Sequence, residues 1–252
     1  MDDYFGLAYA GAPFRLFSAA HVLAILTVVA ASLAIVAALR RWPGPRLREA
    51  LRYGLAGVCT LNQVAWDGWQ AWVGLWSPAY SLPLHICTLS GVLCVIMVLA
   101  RSRRLYELLY FWGLAGSGNA LLTPDLQIYG FPHFRFWLFF TAHGAVIAAV
   151  VFMSAAYGLR PTWGALWRAV ALTNAYMLVA ALANAATGGN YLYLARKPEF
   201  ATLMDYLGPW PWYILGLELV GIASFLAVYL PWAVGDWRAA AMASHHVNPT
   251  KR

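Results

Sequence analysis

The chain contains Ser81-Leu82-Pro83-Leu84-His85-Ile86-Cys87-Thr88, a histidine and a cysteine set just after a proline. A cysteine with a histidine can do nucleophilic chemistry. The thiolate attacks an acyl carbonyl, and an imidazole within hydrogen-bond reach takes and returns the proton. Proline suits the first turn of a helix, so this segment reads as a helix start. The positive end of the helix dipole favours negative charge on a thiol in the opening turns. His85 and Cys87 are two residues apart, and on a regular helix they point to different sides. His85 is thus a poor base for Cys87. His143, in Phe139-Phe140-Thr141-Ala142-His143-Gly144, is better placed, because Gly144 permits close backbone approach. The plainer alternatives are a buried apolar thiol for Cys87 and a core histidine bonded to a neighbouring helix for His143.

Other polar groups can support this pair. Asp67 or Glu218 can orient a histidine, and His85, Asn119 or Asn190 can donate to an oxyanion. His21, Asn62, Gln63, Asp125 and Asn184 complete the set of candidate binding or supporting residues. His85, His143 and Asp67 fit carboxylate–histidine hydrogen bonding better than a metal centre. No P-loop, dinucleotide fingerprint or H-E-x-x-H motif is present. No metal and no cofactor is expected.

What must hold these residues is a membrane bundle. Of 252 residues, 62% are apolar and 11% charged, and the mean hydropathy is +0.62. A soluble domain has roughly 45–50% and about 25%. A soluble enzyme, a disordered tail and a secreted disulfide scaffold are therefore excluded. The three cysteines, Cys59, Cys87 and Cys94, all lie in apolar stretches and imply no disulfide framework. A crossing helix needs about 20 mostly apolar residues. Seven such stretches are found, at about 17–39, 51–74, 82–100, 105–123, 134–157, 165–187 and 211–234. The fourth is interrupted by Gly113, Gly116 and Gly118. The expected fold is an all-α, polytopic, seven-helix membrane bundle forming one domain over 1–252. Asp2 and Asp3 precede the first stretch where a signal peptide would be basic, so that stretch reads as a span.

The basic residues alternate with these spans. Thirteen of the seventeen, including Arg40, Arg41, Arg46, Arg48, Arg52, Arg101, Arg103, Arg104, Lys251 and Arg252, fall on one side. The positive-inside rule then places the N-terminus outside and the C-terminus inside. The net charge of +7 marks contact with anionic inner-leaflet lipid rather than nucleic acid. In this frame the chain is a multi-pass membrane protein, and its partners are membrane lipids. His143 lies about nine residues into its span, roughly 14 Å deep at 1.5 Å per residue. The polar groups of all seven spans converge on the outer half of the bundle. Polar groups are costly in lipid, so they should face one another or a polar, outward-facing cavity.

Two outer loops are rich in turn formers and aromatics. Leu82-Pro83-Leu84-His85-Ile86-Cys87, Asn119-Ala120-Leu121-Leu122-Thr123-Pro124-Asp125, Gly188-Gly189-Asn190-Tyr191 with Lys197-Pro198, and Leu207-Gly208-Pro209-Trp210-Pro211 occur in that order. As a set they resemble the YwaF family of bacterial integral membrane proteins, over about 80–240. That family in turn resembles, more remotely, eukaryotic transmembrane acyltransferases acting on ether phospholipids. The resemblance implies a place in the bacterial cytoplasmic membrane and acyl transfer with a cysteine and a downstream histidine, and Cys87 and His143 are the matching positions.

Three functions follow as alternatives. The first is a membrane-embedded acyl-transfer or lipid-remodelling enzyme using a Cys–His pair. The second is a transporter or binding protein for a small polar ligand. Transporters, however, carry midplane sites and often inverted repeats, and no repeat is visible here. The third is a non-catalytic scaffold or sensor, with the aromatic outer loops as its partner surface.

Overall fold

A computed structural model describes residues 2–198 and 203–246. Lys251 and Arg252 lie outside them. A single turn, α1 (Asp2–Phe5), precedes α2 (Ala19–Arg41), α3 (Pro45–Trp72), α4 (Ile86–Ala100) and α5 (Arg103–Phe111). A π-helical segment (Trp112–Gly116) joins α5 to α6 (Ser117–Leu122), and the three run on as one rod. Then come α7 (Phe134–Tyr157), α8 (Trp163–Thr187) and α9 (Trp212–His246). Among the described residues there is no strand, so the fold is all-helical as expected. Seven rods follow the seven apolar stretches.

Local chemistry explains the rod ends. Ser18, Ser102 and Thr162 hydroxyls accept from the backbone of His21, Leu105 and Ala165, capping α2, α5 and α8. Pro45 opens α3, so this helix begins six residues before the expected 51. The expected start of the third rod at 82 shifts to Ile86. There Leu84 N–H donates to Leu82 C=O at 2.7 Å, and Pro83 shapes a tight turn instead of a helical one. Helix α9 continues well beyond 234, despite Pro231 inside it.

Among the described residues, four helices are long and apolar enough to cross a membrane: α2, α7, α8 and the Trp212–Arg238 part of α9. They differ in burial. In α7, 61% of the most apolar window is inside the fold, against 11% for α2 and 17% for α8 and α9. Helix α7 is therefore the central pillar, packed on α2, α3 and α4. The bare apolar faces of α2, α8 and α9 require a solvent as apolar as they are.

Close packing around α7 depends on two glycines. A Cβ at Gly113 would meet Val146 Cγ1 at 2.9 Å, and one at Gly144 would meet Val28 Cγ2 at 2.7 Å. Val28 is β-branched and has little freedom to turn away. Gly144→Ala is expected to cost about 1–3 kcal/mol by overpacking. It should lower the thermal midpoint of the detergent-solubilised protein; an unchanged midpoint would contradict the close α2–α7 approach.

Candidate functional site

A cavity of about 320 Å³ opens between the start of α4, the π-helical segment with α6, and helices α8 and α9. Its size sits at the lower end of the range of small-molecule pockets. Cys87 and His85 form one wall. The correction to the third rod decides this. His85 is the residue before α4, with extended backbone (φ −73°, ψ 139°), and not a helical residue. The rule that separates helical neighbours two apart does not apply to it. Its imidazole packs against the rings of Tyr191 and Tyr193, with centroids at 5.4 and 5.8 Å.

No side chain caps the N-terminus of α4. Among the described residues, nothing accepts from the backbone N–H of Ile86, Cys87 or Thr88. Helix N-termini of this kind stabilise nearby negative charge. Cys87 is half-buried on the wall beside them.

The opposite walls carry paired polar groups on an otherwise apolar surface. Asn174 Nδ2 on α8 donates to Glu218 Oε1 on α9 at 2.7 Å. Asn119 Nδ2 on α6 donates to Ser224 Oγ on α9 at 3.1 Å. Trp112 Nε1 in the π-helical segment donates to Thr173 Oγ1 on α8 at 2.8 Å. All six residues line the cavity, beside Met177, Leu217 and Ile222. Where a helix widens to π geometry, a functional site is often found, and here Trp112, Ala115 and Gly116 face the cavity.

The loop after α8 closes the cavity with Leu192, Tyr193 and Leu194. Leu192 and Tyr193 both hold left-handed backbone (φ 56° and 54°). Such non-glycine conformations cost about 1–3 kcal/mol each and persist only when surroundings impose them. The imposing contacts are on hand. Asn184 accepts from Tyr191 N–H at 2.6 Å and donates to Tyr191 C=O at 3.0 Å. Tyr191 Oη donates to Pro78 C=O at 2.6 Å and accepts from Leu82 N–H at 3.1 Å. Tyr213 Oη donates to Tyr193 C=O. Burial pushes the Tyr193 hydroxyl up to about 12, with Asp125 and Cys87 adding to the effect. Tyr193 is therefore a protonated donor at neutral pH.

Of the sequence candidates, His85, Cys87, Asn119 and Glu218 meet on this cavity. Asp125 stands near Tyr193 and accepts from Gln127 Nε2 at 3.1 Å. Asn184 and Asn190 hold the loop. Asn190 Oδ1 accepts from Ala195 and Arg196 N–H, and its Nδ2 donates to Arg196 C=O. His143 is not on the cavity wall; its Nδ1 donates to Phe139 C=O at 2.8 Å, four residues back along α7. His21 is fully buried, its Nδ1 accepting from Phe17 N–H and its Nε2 donating to Leu121 C=O at 2.7 Å, which ties α2 to α6. Asn62 donates to Leu138 C=O and ties α3 to α7, and Gln63 donates to Asp67 within α3. Asn174, Thr173, Trp112 and Tyr193 were not among the candidates. Asn174 was visible as a polar residue in an apolar stretch, but Tyr193 is turned inward only by the left-handed pair. No group of three or more His, Cys, Asp or Glu side chains that could hold a metal ion occurs among the described residues.

The family model of the TMEM164 family matches residues 16–229. No curated protein and no solved structure matches the chain.

Proposed function

The chain belongs to the TMEM164 family and is an integral, multi-pass membrane protein, and from that premise we propose that it transfers acyl groups between membrane lipids at Cys87. The narrower likeness to YwaF proteins rests on the outer-loop motifs. In this reading all seven rods cross a bacterial cytoplasmic membrane, with the N-terminus outside. The supporting observation for orientation is the alternation of thirteen basic residues with the rods.

The observation that carries the chemistry is a half-buried thiol and an imidazole on one wall of a largely apolar cavity, beside an uncapped helix N-terminus. An acyl chain suits the apolar walls formed by Met177, Leu217 and Ile222. Cys87 Sγ gives its proton to His85 and attacks the ester carbonyl. The C–S bond forms, the ester C–O bond breaks, and His85 returns the proton to the departing alcohol. An acceptor hydroxyl then loses its proton to His85 and attacks the thioester. The new C–O bond forms, and the thiolate leaves and recovers the proton. The free N–H groups at the start of α4 and Asn119 Nδ2 supply donors for the oxyanion in both steps. Asn174 and Glu218 bind the polar end of the substrate.

The test uses purified protein in vesicles containing a phospholipid with a deuterated acyl chain and an unlabelled lysophospholipid. The expected result is labelled chain on the acceptor with wild type and none with Cys87→Ala. Equal rates for both proteins would overturn the proposal.

A further inference from the structure

At the other end of the bundle, three charged side chains of α3 and Arg101, just after α4, crowd the end of α7. Glu49 accepts from Arg52 with one carboxylate oxygen and from Arg101 Nη2 with the other, at 2.8 Å. Arg52 also donates to Leu99 C=O at 2.8 Å and is buried. Both oxygens of Glu49 are thus engaged. Arg48 has no such acceptor. Its guanidinium lies 5.6 Å from the centre of the Tyr157 ring, and that of Arg101 lies 5.8 Å from the same ring. Three guanidinium groups thus stand around one carboxylate that bonds only two of them, leaving two positive charges in excess.

Two donors in this cluster are buried without any partner: Arg48 Nε and the Tyr157 hydroxyl. A buried donor that has lost water and gained nothing is unfavourable, and such groups call for an acceptor. Arg101 is held toward them by left-handed backbone at the end of α4 (φ 51°). The missing partner must carry negative charge, to offset the excess, and several acceptor oxygens, to serve donors on different helices. A phosphate group meets both requirements, and guanidinium forks match its geometry.

We infer that Arg48, Arg101 and Tyr157 form a phosphate-binding site at the arginine-rich end of the bundle. Its ligand is a phospholipid headgroup phosphate or free phosphate. The site is separate from the Cys87 cavity and does not depend on acyl transfer.

The experiment follows thermal unfolding of the purified full-length protein in neutral detergent, titrated with inorganic phosphate or with dioleoylphosphatidylglycerol. Wild type is expected to gain stability with at least one probe. Arg48→Gln and Tyr157→Phe should each need about tenfold more of it for the same gain; the second variant keeps the ring and its packing. A response to inorganic phosphate identifies a soluble anion as sufficient. A response to phosphatidylglycerol alone identifies the lipid headgroup. Wild type indifferent to both probes, or both variants responding as wild type does, would overturn the inference.

Discussion

Cys87→Ala is expected to lower acyl transfer by about a thousandfold or more, the scale on which loss of a nucleophile acts. The fold should survive, because Cys87 is half-buried and no hydrogen bond of its thiol stands among the described contacts. Thermal unfolding of the variant therefore separates a chemical loss from a structural one. The base is tested in the same assay. His85→Gln should reduce transfer by roughly 10²–10⁴-fold, the usual worth of a general base. His143→Gln should reduce it less, because His143 bonds the backbone of its own helix and does not line the cavity. A larger loss in His143→Gln would assign the base to the histidine that the family resemblance implies.

The second large effect belongs to Asn184, which never touches the cavity. Its side chain makes two hydrogen bonds with the Tyr191 backbone, both buried. Asn184→Ala would leave the buried Tyr191 N–H unpaired, at about 1–3 kcal/mol, while Tyr191 C=O would keep its bond from Leu194 N–H. The thermal midpoint should fall by about 2–12 °C, at roughly 2–4 °C per kcal/mol for a chain of this size. Transfer should fall with it, because Leu192 and Tyr193 keep their left-handed backbone only while Tyr191 is held. Asn184→Asp retains the acceptor for Tyr191 N–H and should lose less of both. If Asn184→Ala melted like wild type, the loop would be held by Tyr191 and Tyr213 alone.

The rods were legible in the sequence because long apolar runs can satisfy their backbones in lipid only as helices. Their ends were less so. Pro83 has the same φ in a helix's first turn and in a tight turn, and the bonds that hold the turn come from far along the chain, from Leu82 N–H to Tyr191 Oη and from Tyr176 Oη to Leu84 C=O. That choice moves His85 off the helix and onto the wall it shares with Cys87. Periodicity along one segment has no access to such a contact. The same limit hid Tyr193, whose inward position follows from backbone imposed by Asn184 and Tyr213. Depth assignment did bring out Asn119 and Glu218, because a polar residue in an apolar run must find a partner, and theirs are Ser224 and Asn174. The cavity itself is more apolar than expected, since these pairs satisfy one another across it.

The central claim is that Cys87 carries the acyl group in transit. Intact-protein mass spectrometry tests it, with the protein quenched in acid soon after mixing with an acyl-donor phospholipid and no acceptor. The account predicts one added acyl mass, mapped to Cys87 and released by neutral hydroxylamine, with Cys59 and Cys94 unmodified. Undiminished transfer to acceptor by protein that never gains this mass would contradict it.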